Sequence, residues 1–372
     1  MTASEYIGRN LSEGVRGATI NAIASSMPEV FTSLFFLFVL MDANGFSGGI
    51  GTTAGSAIFN GMVIPAVSVL AVIGMGMTKK IEVSQKVLRR DGIALIIAEF
   101  IFLVLISGST LYWYHGLILM GVYVVYIVYM FATMKKAERE EMEGGQLSDE
   151  DFEDDERKNT SFIKALFTLD LERVFLGTKI INTVKAWSLL IFSTLAIALV
   201  CYFLVLACEW IGADTYSVAG MEFNGLGIPI MFVALILASA ASSFPDTIIS
   251  MKDAKRGQYD DAISNALGSN IFDICFALGF PLFIFTTLNG PLEMPQEIVD
   301  LSSELRFLLW LLTVLAVVIF TWGKYFGKAK AYLLLTIYFL FVLYVVGRGA
   351  GNSIAQAIAD FLVGVVKLFS LS

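Results

Sequence analysis

A backbone in hydrocarbon has no water to satisfy its N–H and C=O groups, so an apolar run of about 20 residues crosses a bilayer as an α-helix. This chain of 372 residues carries nine such candidates, at 17–41, 54–77, 93–111, 113–134, 187–210, 225–250, 263–287, 306–323 and 331–347. That single feature commits it to an all-α polytopic membrane fold. Composition agrees: only 16% of residues are charged, against about a quarter in soluble domains. There is no polar stretch large enough for a soluble enzyme. No G-x-x-x-x-G-K-S/T loop occurs, so ATP-driven transport is excluded, and no nucleic-acid partner is expected. The net charge of −8 comes mostly from 138–156, which holds eleven acids.

Loop charges set the expected orientation. Lys79, Lys80, Lys86, Arg89 and Arg90 follow the second span. Lys252, Lys255 and Arg256, then Lys324, Lys328 and Lys330, mark later basic loops. The intervening loops are neutral or acidic. By the positive-inside rule the amino terminus and the 135–186 loop lie in the cytosol and the carboxy terminus outside, in what is expected to be the cell membrane. The polar amino terminus is no signal peptide.

Within the apolar runs one pattern occurs twice. SSMPEVFTS at 25–33 returns as SSFPDTIIS at 242–250, and GSAIFN at 55–60 returns as GSNIFD at 268–273. Ser25 to Ser242 is a step of 217 and Gly55 to Gly268 a step of 213, so order and spacing are kept. By the loop charges the two copies enter from opposite sides. The reading is therefore two inverted-topology repeats, a common transporter architecture. The organisation expected is a first repeat at 1–134, a cytosolic acidic loop and amphipathic helix at 135–186, a second repeat at 187–347, and an amphipathic tail at 348–372.

The repeated residues suit hard cations. Pro28 and Pro245 each remove a backbone hydrogen bond beside an acid, Glu29 and Asp246. Ser25, Ser26, Ser242 and Ser243 add hydroxyls. Ser56, Asn60, Ser269 and Asp273 add further oxygens one turn apart on one face. Calcium seeks six to eight oxygens with carboxylates among them. Ionisable groups inside a membrane are costly and mark function. The three cysteines lack metal-site spacing and read as small core residues. His115 is the only histidine, which argues against a histidine relay.

At these residues the chain resembles the cation/calcium antiporter superfamily, specifically its sodium/calcium exchanger branches. The resemblance rests on SSMPE with GSAIFN and SSFPD with GSNIFD. It implies that Glu29 and Asp246 coordinate calcium, and that Ser26, Ser56, Asn60, Ser243, Ser269 and Asp273 line calcium and sodium sites. Ser25 and Ser242 stand where the family has a backbone-carbonyl donor. Asp273 resembles the potassium-dependent branch, which leaves potassium open as a further cargo, whereas QYDDA before SNALGSN resembles potassium-independent animal exchangers. The family has ten spans, and the helix expected before the first motif is missing here, giving about nine. The implied function is sodium-for-calcium antiport by alternating access with no cofactor. The alternatives are a proton/calcium exchanger, disfavoured by S-S-x-P-E/D in place of G-N-x-x-E, and a channel or a transport-incompetent cation-binding membrane protein, to which the missing first helix gives weight.

Four further features are assigned no part in the chemistry. Glu99 reads as a structural or water-facing acid. Residues 138–156 read as a solvated tract rather than a calcium sensor, for want of an EF-hand pattern. Residues 161–180 and the tail, with Ile354, Ile358, Phe361, Leu362 and Val365 on one face, read as amphipathic surface helices.

Overall fold

The computed structural model describes residues 6, 19–20, 22–133, 173–174 and 182–369. The expectations for 138–156 and the helix preceding the first motif lie outside the described residues, as does nearly all of 161–180.

The first half runs α1 (Ala22–Ser25), α2 (Met27–Leu40), α3 (Ala43–Gly74), β1 (Ile81–Glu82), α4 (Gln85–Leu105), β2 (Thr110–Leu111) and α5 (Trp113–Thr133). The second opens with α6 (Thr183–Gly212) and a hairpin of β3 (Thr215–Val218) and β4 (Met221–Asn224). Then α7 (Ile230–Val233), a π-turn at Ala234–Ala238 and α8 (Ser239–Ser242) lead into α9 (Phe244–Lys255). Next come α10 (Tyr259–Phe272), a second π-turn at Asp273–Ala277 and α11 (Gly279–Asn289). The chain closes with β5 (Leu292–Glu293), α12 (Gln296–Thr321), β6 (Tyr325–Phe326), α13 (Lys328–Gly349) and α14 (Ser353–Phe369).

Among the described residues seven helical stretches are long and apolar enough to cross a membrane, against nine expected. The stretch expected at 17–41 is interrupted at Ser26, leaving Met27–Leu40 with 14 residues. The one expected at 93–111 starts at Gln85 and takes in Lys86, Arg89, Arg90 and Asp91. The expected span 54–77 begins eleven residues earlier, because the glycine-rich segment read as loop is helix from Ala43. Asp42 caps it, accepting from the Gly45 N–H at 3.0 Å. Continuing the helix gives every backbone group an internal partner.

Loop strands record the inversion. β1 and β5 follow the second motif helix of their own halves, while β2 and β6 come one helix later. The observed pairs are β1 with β6 and β2 with β5, both antiparallel. Each pair therefore joins non-equivalent loops, as two halves of opposite orientation require. Across β1–β6, Lys324 and Glu82 form an exposed ion pair at 2.8 Å, and the carboxylate holds the lysine above its ordinary range.

The core lies around α3 and α10–α11, whose most apolar windows are each 67% buried; α6 is 17% buried and lies at the periphery against α2. Gly51 and Gly55 of α3 form the small-residue face that lets the halves meet. A Cβ on Gly55 would stand 2.2 Å from the Leu235 carbonyl oxygen. The tail helix differs from expectation. It packs through Ala355, Ala359, Leu362 and Val366, while Ile354, Ile358 and Phe361 point outward. Apolar residues occupy more than one face, and the smaller ones fit against α12.

Candidate cation site

The two motifs break their helices in the same way. Ser26 (φ −88°, ψ 9°) and Ser243 (φ −79°, ψ 0°) each interrupt a helix that restarts with proline in its first turn. Proline lacks the N–H that would close the preceding turn. Glu29 and Asp246 follow within the first turn of the new helix. A π-turn precedes the second motif at 234–238, and π-geometry recurs at 19–20, the equivalent place before the first.

All ten residues read from the sequence are buried, none more than 1% exposed, and they gather where α1–α2, α3, α8–α9 and α10 meet. Their contacts obey a pseudo-twofold. Ser56 donates to Glu29 Oε1 at 3.1 Å, and its hydroxyl lies 3.1 Å from that of Ser242. Ser242 itself stands beside Glu29. In the mirror arrangement, Ser25 and Ser269 stand beside Asp246. Ser25 bonds to the Ala22 carbonyl and Ser242 to that of Ser239, both at 3.2 Å. So each acid is flanked by a serine of its own second motif and one of the other half's first motif.

The symmetry ends at one pair. Asn60 donates to Asp246 Oδ2 at 3.0 Å and to Ser269 Oγ at 3.3 Å. Its counterpart Asp273 is an acid that opens a π-turn and interacts electrostatically with both Glu29 and Asp246.

Several oxygens lack a close hydrogen-bond partner: Glu29 Oε2, Asp246 Oδ1, Asn60 Oδ1, Ser26 Oγ, Ser243 Oγ and both Asp273 carboxylate oxygens, with Ser26 standing beside Asp273. Buried polar atoms without partners are costly, and seven such oxygens in one place are what a cation would need. Among the described residues no group of three or more His, Cys, Asp or Glu side chains is placed to hold a metal alone. A cation here would therefore draw on hydroxyl and amide oxygens as well as carboxylates.

Sequence reasoning missed three neighbours. Asn265 stands beside Asp246, donates to Ser250 Oγ at 3.1 Å and leaves its own oxygen unpartnered. It precedes Ser269 by one turn, but its equivalent in the first half is Thr52, so a search for duplicates passes over it. Asn270 donates to the Ala57 carbonyl at 2.8 Å, tying the second motif helices together. Cys201 of peripheral α6 contacts the Pro28 carbonyl at 3.6 Å. Glu99 is fully buried, accepts from Thr313 at 2.8 Å and lies within electrostatic reach of Cys275 in the second π-turn.

Comparison with known proteins converges on one family. The sodium/calcium exchanger protein family model matches residues 1–132 and 185–347. The human sodium/potassium/calcium exchanger 5 is 27% identical over 361 residues, covering 79% of this chain and 67% of that protein. A crystal form of the sodium-calcium exchanger NCX_Mj superposes with a TM-score of 0.55 at 21% identity, over 92% of this chain and 90% of the other. The H+/Ca2+ exchanger CAX superposes with a TM-score of 0.52 at 12% identity, over 98% and 87%. These two structures share the fold at identities too low to carry more. The family match spans both repeats and their motifs, and the chain belongs to the sodium/calcium exchanger protein family.

Proposed function

We propose that the chain is a secondary antiporter that exchanges sodium for calcium across a membrane, the cell membrane by our reading, with residues 1–134 and 187–347 as its two repeats. Glu29 and Asp246 carry the calcium, with Ser25, Ser26, Ser56, Asn60, Ser242, Ser243, Ser269 and Asp273 supplying the remaining oxygens for calcium and sodium in turn. The observation that supports this most is the crossed pairing of each acid with a serine from either half, which builds one site from both repeats.

Coupling follows from charge. Among the described residues neither Glu29 nor Asp246 pairs with an arginine or lysine, and buried carboxylates of this kind are expensive to carry through a low-dielectric interior unless cations neutralise them. The empty site therefore resists reorientation, and the two cargoes move in exchange. One calcium or two or more sodium ions would each satisfy the charge. The broken helices let the acids be reached from either side while the core stays fixed. We take the amino terminus and the 135–186 loop to be cytosolic, on the same side as the basic loops at 79–90, 252–256 and 324–330.

The test is calcium-45 uptake into proteoliposomes loaded with sodium. Uptake that requires internal sodium and ignores an imposed pH gradient supports the reading; uptake driven by the pH gradient alone selects proton/calcium exchange. Added potassium determines whether it is a further cargo. Glu29→Gln and Asp246→Asn are each expected to abolish uptake, and full activity in either variant would refute the site.

A further inference from the structure

Each half splays one pair of helices apart. α4 and α5 make little contact with one another, and so do α12 and α13. In the second half α14 packs on both helices of the pair. In the first half the groove is a cavity of about 1240 Å³, lined by Ile93, Ile97 and Ile101 of α4 and by Ile118, Val122 and Val125 of α5. That is above the range of about 300–1,000 Å³ for small-ligand pockets. The apolar wall ends in cations, because Lys86, Arg89 and Arg90 line the same cavity. Lys86 and Arg89 are exposed. Arg90 is held by Asp91 at 2.6 and 2.9 Å, and the Tyr126 hydroxyl donates to that carboxylate at 3.2 Å.

The pseudo-twofold supplies an internal comparison. β1 and α4 begin at Ile81 and Gln85, and β5 and α12 at Leu292 and Gln296, a step of 211 in each case. The same step carries Lys86 to Glu297 and Arg89 to Asp300, so the equivalent mouths carry opposite charge. The second mouth is answered by the chain itself. α14 buries Leu362 and Val366 against Phe307, and its Lys367 meets Asp300 at 3.2 Å. An acidic mouth there receives an apolar body that carries a cation. The basic mouth at Lys86 and Arg89 calls for the converse, an apolar body that carries an anion.

We propose that the α4–α5 groove is a binding site for one acidic phospholipid, drawn from the leaflet on the side of the basic loops. Its phosphate lies on Lys86 and Arg89 and an acyl chain lies between α4 and α5. Ile97 and Val125 are 53% and 69% exposed, so the groove opens sideways to the bilayer and a lipid enters it without crossing water. The arginine guanidinium matches phosphate geometry, and the lysine stem follows apolar surface while its ammonium reaches the headgroup. Free phosphate would satisfy the mouth and leave the groove unfilled. A neutral lipid would fill the groove and leave the mouth unanswered. The lipid's place is a bracing one: α4 packs on α10, and α5 on the second π-turn and α11. A chain wedged between them supports the helices that carry the second half of the cation cluster.

The experiment is equilibrium binding of tritiated dioleoyl phosphatidylglycerol to the purified full chain in detergent. The competitors are the unlabelled lipid, dioleoyl phosphatidylcholine and inorganic phosphate. Only the unlabelled phosphatidylglycerol is expected to displace the label. Lys86→Ala with Arg89→Ala is expected to weaken binding about 30-fold, about fivefold for each basic group at the membrane surface. Lys252→Ala with Lys328→Ala, two exposed basic residues outside the cavity, should bind as the wild type does. Gly121 also lines the groove and has nothing within 4 Å of an added Cβ. Gly121→Phe therefore fills the groove and leaves every basic group in place. It is expected to lose the lipid without lowering the thermal midpoint measured before lipid is added. Phosphatidylglycerol should raise the midpoint of the wild type and of neither groove variant, since stabilisation follows occupancy. The proposal is overturned if phosphatidylcholine or phosphate displaces the label, if the Lys86 and Arg89 variant binds normally, or if Gly121→Phe keeps the lipid. No binding by the wild type, with Gly121→Phe destabilised, would give the groove to residues 161–180 of this chain and overturn it equally. Binding is read without an ion gradient, so the result is independent of the antiport reading.

Discussion

Gly55→Ala is the sharpest probe of how the halves hold the site. A Cβ at this position would stand 2.2 Å from the Leu235 carbonyl oxygen, 2.6 Å from Ser239 Oγ and 2.7 Å from Ser239 Cβ. Carbon–oxygen approaches settle near about 3.3 Å, so α3 and the first π-turn must separate by about 1 Å. Backbone carbonyls cannot rotate aside as a side chain can. The bonds that cross this boundary are Ser56 to Ser242 at 3.1 Å and Asn60 to Asp246 at 3.0 Å. Opened by about 1 Å, both pass beyond hydrogen-bonding distance. Two lost bonds, one of them to a carboxylate, sum to about 2–4 kcal/mol, or at least about 30-fold in affinity. Overpacking adds about 1–3 kcal/mol against the fold itself. Calcium-45 binding in detergent and thermal unfolding read the two effects separately. Gly74→Ala is the control, on the same helix but with nothing within 4 Å of the added carbon; it should bind calcium normally. Wild-type calcium affinity in Gly55→Ala would refute the claim that this contact sets the site's geometry.

Other substitutions test other parts. Ser56→Ala and Ser269→Ala remove equivalent hydroxyls beside Glu29 and Asp246, and each is expected to weaken calcium by about tenfold, one hydrogen bond to a charged group. Grossly unequal losses, measured by calcium-45 displacement, would contradict the twofold arrangement. Arg348→Ala strands Glu304, which is 1% exposed and is held by Arg348 at 2.8 and 2.9 Å and by the Tyr344 hydroxyl. Leaving that carboxylate unpaired costs about 3–5 kcal/mol, seen as a lower thermal midpoint; an unchanged midpoint would show that the pair is relaxed by solvent.

How far the sequence could be read depended on where it repeats itself. All ten site residues lie in segments that occur twice, so a ligand role could be inferred without coordinates. Asn265 could not be found that way, because Thr52 stands in its place in the first half, and only folding brings its side chain to Asp246. Span boundaries were misread where glycine means two things. Gly45, Gly48, Gly49 and Gly51 look like a loop, yet in α3 they are contact points: a Cβ on Gly45 would fall 2.4 Å from the Phe36 carbonyl oxygen, and one on Gly51 2.5 Å from that of Met231. Hydropathy counts such residues as weak helix formers, whereas helix packing in a membrane favours them.

The departure from symmetry bears on transport itself. With perfect twofold symmetry, exchanging the conformations of the two halves would turn an inward-facing site into an equivalent outward-facing one, with ligands of the same chemistry on each side. Asn60 and Asp273 prevent that equivalence. One is a neutral donor spent on Asp246 and Ser269, in a continuous helix; the other is an acid with both oxygens unpartnered, at the start of a π-turn that leads to α11. A cation drawn to Asp273 therefore engages the second half more strongly than the first. Asp273→Asn makes the two halves alike in charge at this position. By the same logic it should reduce any difference between sodium affinities measured from the two faces in oriented vesicles, and an undiminished difference would place the asymmetry elsewhere in the chain.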